Sequence, residues 1–265
     1  MKTIFITGAS SGLGEATARL FAAKGWRVIA SMRNPEKETD LRQLENVVLI
    51  SLDVNDPVQI EKTAGEIIQQ YDLDIVFNNA GYGLVAPLEA VSDQQIVRQF
   101  ETNVLGVIRL TKAFIPYFRE KGRGLFITTT SMGGVFGLPM SSVYCASKFA
   151  IEGWTEALSY ELGQLGIGIK TVAPGGIKTD FTGRSLDTAG HPAYEKMMGQ
   201  LFAGFDPEQF ATAEKIAATV YEAATDGKQQ LRYLAGEDAK TLYARSLSIG
   251  TAAFHQERNA LFFGD

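Results

Sequence analysis

The sequence is poor in thiol and imidazole groups: one cysteine, Cys145, and two histidines, His191 and His255, among 265 residues. A lone cysteine forms no internal disulfide and leaves too few soft ligands for structural zinc, so no metal is expected and a reducing compartment is. Cys145, with no histidine beside it, reads as helix packing, and both histidines read as structural or surface groups. A serine hydrolase needs a serine with a base and an orienting acid, and with both histidines read this way none is expected. Long apolar runs are also missing. No stretch reaches 18 apolar residues, and the short apolar start stops at Gly8, so neither a membrane span nor a signal peptide is expected. The chain is read as cytoplasmic. Neither charge sign dominates, with 25 Lys and Arg against 30 Asp and Glu and a pI of 5.3. Nucleic-acid binding needs a basic surface that displaces counterions, and this balance excludes it. Eight prolines and 27 glycines form no linker or low-complexity tract, and no repeat occurs.

What is present is alternation. Short β-rich runs at 3–7, 27–31, 47–52, 74–77, 124–129, 168–172 and 230–234 are separated by helical patterns at 12–24, 57–71, 93–120, 143–165 and 207–226. Several runs are apolar almost throughout, as in strands covered on both faces. This predicts an α/β fold: a doubly wound, mainly parallel seven-stranded Rossmann-type sheet with helices on both faces, in one domain over 1–265. Residues 176–206 break the alternation with a long, aromatic-rich connection, which predicts a substrate lid, and 236–265 form a C-terminal extension. Phe254, Leu261, Phe262 and Phe263 make that extension apolar enough to pack on the body or on a partner subunit.

The first strand runs into Gly8-Ala9-Ser10-Ser11-Gly12-Leu13-Gly14, and a helix follows. Glycines let backbone approach a ligand, and unpaired N–H groups at a helix start suit a pyrophosphate. Gly8, Ser10, Ser11, Gly12, Leu13 and Gly14 are therefore read as dinucleotide-binding. After the second strand, the slot for an acidic residue that would hold an NAD ribose is empty, and Arg33 follows it. A guanidinium there would grip a 2′-phosphate, which favours NADP(H) over NAD(H); otherwise Arg33 is a solvated loop cation. Asp53 and Val54 end the third strand, where Asp53 would accept from an adenine amino group or cap the next helix. Asn79, Ala80 and Gly81 end the fourth, small enough for a cofactor to lie against the backbone, with Asn78 and Asn79 placed to tie strands together.

Tyr144 and Lys148 lie four apart, one turn on a single helix face. A free phenol titrates near about 10, and a neighbouring ammonium lowers that, giving a proton donor and acceptor for carbonyl chemistry. The spacing alone is weak, because Tyr117 and Lys121 share it. Thirteen residues before Tyr144, however, stands Ser131, just past an apolar strand and placed to orient a substrate oxygen; the equivalent position before Tyr117 is Val104.

With Asn103, Pro174 and Gly175, these motifs match the short-chain dehydrogenase/reductase family in order and spacing, and the chain resembles that family from residue 2 to about 180. The resemblance implies that Tyr144 is the general acid/base, that Lys148 lowers its pKa and binds the nicotinamide ribose, that Ser131 positions the substrate, and that Asn103 holds a water in a proton relay. It implies further that Pro174, Gly175, Ile177 and Thr179 lie beside the nicotinamide. By the same resemblance the chain pairs through its two long helices into a homodimer or homotetramer. The epimerase branch's Gly-x-x-Gly-x-x-Gly loop and the enoyl reductases' longer Tyr–Lys spacing are absent, which favours the compact alcohol/carbonyl branch. No basic residue precedes Gly12, so Arg33 carries the phosphate argument.

The expected activity is hydride transfer between NADP(H) and a small carbonyl or secondary-alcohol substrate, in an apolar site lined by Ser131, Phe136, Tyr144 and Phe181. Two competing readings are a non-catalytic NADP(H)-binding sensor or scaffold, and a lyase or epimerase that stores the hydride temporarily.

Overall fold

The computed structural model describes residues 1–178, 186–204 and 207–264. Seven strands form one sheet: β1 (Thr3–Thr7), β2 (Arg27–Met32), β3 (Val47–Ser51), β4 (Ile75–Asn78), β5 (Gly124–Thr129), β6 (Ile167–Pro174) and β7 (Arg232–Ala235). Their order is β3-β2-β1-β4-β5-β6-β7, and every pairing is parallel. The doubly wound Rossmann-type architecture is thus as expected. The chain reverses direction across the sheet at β1, whose neighbours are β2 and β4. Ligands bind such folds in the crevice at that reversal, beyond the carboxyl ends of the strands.

Among the described residues the helices are α1 (Gly12–Ala23), α2 (Pro57–Gln70), α3 (Asp93–Phe100), α4 (Gly106–Lys121), α5 (Ser142–Gly163), α6 (Glu195–Ala203), α7 (Ala213–Thr225), α8 (Glu237–Ile249) and α9 (Thr251–Phe263). Alternation along β1 divides the core. Ile4 and Ile6 join Phe21 of α1 and Ile216 and Val220 of α7 on one face. Phe5 faces Ile60 of α2, Phe114 and Phe118 of α4, and Leu158 and Leu162 of α5 on the other. Each such side chain, fully buried, contributes about 1.5–3 kcal/mol of transfer free energy. Both faces of β1 are therefore apolar, which explains its unbroken apolar run.

Three expectations change in detail. The helix expected over 93–120 is α3 and α4 joined by a π-helical turn, Glu101–Leu105. One extra residue is admitted there, and the widened turn holds Asn103, which is buried. The helix expected from 207 begins at Ala213 instead. Thr212 is the reason: its hydroxyl accepts from the Lys215 amide and caps α7, while Ala211–Thr212 pairs with Ile177–Lys178 as a short parallel bridge. The long connection also carries structure, since Leu186–Thr188 pairs in parallel with Gly83–Val85 and α6 follows.

Candidate active site

The turn between β1 and α1 packs closely. Gly8 has φ +66°, and a Cβ there would lie 2.8 Å from Ala80 Cα. A Cβ on Gly14 would lie 2.2 Å from the Gly8 carbonyl oxygen. Ser11, the N-cap of α1, makes no side-chain capping bond, so its side chain pairs none of the first-turn amides. Thr7 Oγ1 accepts from the Asn79 and Ala80 amides at 3.0 Å each. Asn79 Nδ2 donates to the carbonyls of Thr7 and Gly8, and its Oδ1 accepts from Thr129. Asn78 donates to Thr111 at 3.0 Å. These amides tie together the carboxyl ends of β1, β4 and β5. Arg33 is exposed just past β2 and makes no ion pair among the described residues. Asp53 does not cap α2; Asp56 does, accepting from Val58 and Gln59, while Asp53 accepts from Asn55. A cradle of backbone amides with a free guanidinium at the next strand end fits a phosphorylated dinucleotide.

On the same edge of the sheet, Ser131 lies two residues past β5 in extended backbone, and Tyr144 and Lys148 lie on α5. Ser131 is buried, its Oγ accepts from the Gly133 amide at 3.0 Å, and its hydroxyl favours ionisation of the Tyr144 phenol. Lys148 Nζ lies 5.8 Å from the Tyr144 ring centre and donates to the Thr129 carbonyl at 3.0 Å. Burial pulls its ammonium down to about 8, against an opposing pull from the Glu152 carboxylate. Asn103 also arrives here. Its Oδ1 accepts from the Tyr82 amide, and its Nδ2 donates to the Tyr82 carbonyl and to Ser147 Oγ. Both amide hydrogens are thus used by protein atoms. A Cβ on Gly81 would lie 3.0 Å from Asn103 Oδ1 and 3.7 Å from Lys148 Nζ, so all three share one small space.

One sequence expectation meets a different balance. Lys148 was expected to draw the phenol down, but burial pushes Tyr144 up to about 12, and the Ser131 hydroxyl is what opposes the rise. The ammonium sits over the ring and spends a donor on Thr129.

The sequence model of the short chain dehydrogenase family matches residues 2–189. An uncharacterized oxidoreductase of Schizosaccharomyces pombe is 35% identical over 228 residues, 84% of this chain and 96% of its own. The chain belongs to the short-chain dehydrogenase family. A solved short-chain dehydrogenase from Streptomyces avermitilis superposes with a TM-score of 0.87 at 31% identity, over 100% of this chain and 98% of that one. The alcohol dehydrogenase of the archaeon Thermococcus sibiricus, solved with 5-hydroxy-NADP, gives 0.74 at 26% identity, over 89% and 96%.

Within this short-chain dehydrogenase the remaining expected residues are dispersed. Pro174 ends β6, Gly175 opens the turn after it, and Ile177 opens the short bridge to Ala211. Phe136 is buried in the turn after Ser131, its ring edge-on to Phe254 of α9 at 5.1 Å. Thr179 and Phe181 lie outside the described residues. His191 caps a short turn by accepting from the Ala193 amide, and Cys145 is buried with Sγ accepting from the Leu138 amide.

Sequence reading missed two features of the site. Glu152, one turn beyond Lys148, is buried and accepts from Thr130 Oγ1 at 2.5 Å, Thr171 Oγ1 at 3.2 Å and Arg232 Nε at 2.8 Å. It fastens α5 to β6, β7 and the residue before Ser131. The four-residue step from Lys148 was a usable signal, since it puts Glu152 on the same helix face. The second feature is the carboxylate of Asp238, which accepts from the Gly176 amide. No local pattern pairs residues 62 positions apart.

Proposed function

We propose that this short-chain dehydrogenase is an NADP(H)-dependent oxidoreductase that interconverts a carbonyl and a secondary alcohol. The observation that carries the reading is the Lys148 ammonium 5.8 Å from the centre of the Tyr144 ring, with the Ser131 hydroxyl acting on the phenol. Gly8, Ser10, Ser11, Gly12, Leu13 and Gly14 hold the pyrophosphate, Arg33 the 2′-phosphate, Asp53 and Val54 the adenine side, and Asn79, Ala80 and Gly81 the face of the sheet edge. Pro174, Gly175, Ile177 and Thr179 flank the nicotinamide.

When bound, the nicotinamide supplies or accepts the hydride. Ser131 fixes the substrate oxygen through its hydroxyl. Tyr144 gives its proton to that oxygen during reduction and takes it back during oxidation. A phenol held up to about 12 keeps its proton at neutral pH, so the resting site is protonated for carbonyl reduction. The phenolate left behind is stabilised by the Ser131 hydroxyl and the positive charge of Lys148. Asn103 fixes the backbone of Tyr82 beside Lys148 and retains a free lone pair on Oδ1 toward a relay water. The described part of the long connection after β6 serves the substrate side, and Phe136 backed by Phe254 makes an apolar wall suited to a ketone, aldehyde or steroid-like alcohol. Phe149 and Tyr160 are exposed on α5, which supports pairing of two copies through the long helices.

The test is a titration with NADPH and NADH, followed by a carbonyl-substrate panel and the Arg33→Ala variant. NADPH is expected to bind more tightly than NADH. Arg33→Ala is expected to weaken NADPH by about 10-fold or more, with little effect on NADH. Tighter binding of NADH by the wild type overturns the phosphate assignment. Nucleotide binding with no turnover of any carbonyl would favour the sensor reading.

A further inference from the structure

The turn that follows β6 contains two adjacent glycines, Gly175 and Gly176, the least restrained dipeptide a chain can offer. It lies at the carboxyl edge of the sheet, one strand from Ser131, because Thr129 is in register with Val172 and the Thr130 amide donates to the Val172 carbonyl. A backbone this free needs fixing from outside. The Gly175 amide donates to the Ala235 carbonyl at 3.0 Å, at the end of β7. Gly236, with φ +99°, then turns the chain sharply into α8. The second residue of α8 is Asp238, and its Oδ2 accepts from the Gly176 amide at 2.7 Å.

The contact leaves no slack. A Cβ on Gly175 would lie 2.1 Å from Asp238 Oδ2, and one on Gly176 would lie 2.3 Å from Phe210 Cδ1. Both glycines are therefore required by the close approach of neighbours, one of them the Asp238 carboxylate. Immediately afterwards Ile177 and Lys178 pair with Ala211 and Thr212. Glu237, the other acid of the first turn of α8, points elsewhere and pairs with Lys240 at 2.9 Å. An acid favourable to the helix dipole is thus already present, and the position of Asp238 serves the turn.

We propose that Asp238 is a positioning residue for the nicotinamide end of the cofactor site, acting through the Gly175–Gly176 backbone. This rests on the functional reading given above. The C-terminal extension, which lies beyond the residues matched by the family model, thereby completes the site.

The experiment uses the full chain and two probes: NADPH, and adenosine 2′,5′-bisphosphate, which lacks the nicotinamide. Binding is measured for the wild type, Asp238→Ala, Asp238→Asn and Glu237→Ala. Asp238→Ala is expected to weaken NADPH by about 10-fold, the scale of one charge-assisted hydrogen bond, and to leave the bisphosphate within about two-fold. Asp238→Asn, which keeps an acceptor oxygen, falls between, and Glu237→Ala matches the wild type. Equal weakening of both probes, or of neither, overturns the proposal. If Asp238→Ala does not fold, Asp238→Asn decides by the same ratio. Amide hydrogen exchange in the ligand-free protein gives a second readout: the peptide spanning 174–178 exchanges faster in Asp238→Ala, and the peptide spanning 7–14 does not. Unchanged exchange at 174–178 shows that the carboxylate holds nothing there. A wild type that binds bisphosphate but not NADPH removes the nicotinamide assignment. One that binds neither sinks the reading of the whole site, and the exchange result still decides the contact.

Discussion

The chain contains the same motif twice, and the two copies have come to different ends. Tyr117 and Lys121 of α4 repeat the spacing of Tyr144 and Lys148, and even the ammonium-to-ring distance matches, 5.7 Å against 5.8 Å. Their surroundings differ. The Tyr117 hydroxyl accepts from the Leu73 amide and donates to Asp72. Lys121 pairs with Asp72 at 2.5 Å and Asp74 at 3.2 Å. Burial works against its charge, but those two carboxylates carry Lys121 above the ordinary lysine range. Lys148 has no carboxylate partner within ion-pair distance among the described residues, and burial prevails. One pair is a clasp between α4 and the start of β4. The other keeps a buried ammonium over its phenol with no carboxylate partner among the described residues. Geometry within a helix is the same for both; what separates them is which atoms the rest of the fold brings near.

Paired substitutions break or sharpen this contrast. Tyr144→Phe is expected to lower carbonyl turnover by about 10²–10⁴-fold, the range for loss of a general acid, with NADPH binding retained. Tyr117→Phe leaves turnover unchanged. Steady-state rates on both variants check this, and equal losses would erase the distinction. Lys148→Met should cost about 10–10²-fold in turnover, since it removes the charge that stabilises the phenolate. Lys121→Met should leave the rate alone and cost about 1–2 kcal/mol of stability, because Asp72 is largely exposed and recovers water when its partner goes. Urea unfolding gives that number.

The two lysines should also respond to pH with opposite sign. Lys148, held at about 8 in the fold and ordinarily near 10.5, binds fewer protons folded than unfolded between those values. Its burial penalty therefore fades, and stability rises, as pH climbs through that window. Lys121 is raised, so its contribution is complete below the ordinary lysine pKa and is lost as pH rises through the folded value. Tyr144 adds a fall above its ordinary 10, where the folded phenol keeps a proton that the unfolded one releases. Unfolding curves at stepped pH should lose the rise from 8 upward in Lys148→Met and keep it in Lys121→Met. The smallest effect belongs to Tyr117→Phe, about 1 kcal/mol for its hydrogen bond to Leu73.

The strands and the glycine turn were legible because they are local: apolar runs such as Ile4–Phe5–Ile6 declare burial on both faces, and Gly8 to Gly14 declare a tight approach. The Ser131, Tyr144 and Lys148 cluster was legible because its parts lie within 18 residues. The π-turn at Asn103 was not, because nothing in 93–120 interrupts the helical apolar period; the turn widens where Asn103 reaches across to Tyr82 and Ser147. Arg232 on Glu152 and Asp238 on Gly176 were not, because β7 must first dock on β6 before either pair can meet. The protonation of Tyr144 also depends on burial, which spacing does not report.

The strand order has a consequence for synthesis on the ribosome. The first strand to emerge takes the central place, β2 and β3 extend one side, and β4, β5, β6 and β7 are then laid down on the other in the order they are made. On that second side each open edge is covered by the next strand to leave the tunnel, once β1 has waited for β4 while β2 and β3 are made. The last strand brings Arg232, and the helix behind it brings Asp238. A chain released before β7 would therefore possess six strands of its sheet and its glycine turn, yet lack Arg232 and Asp238.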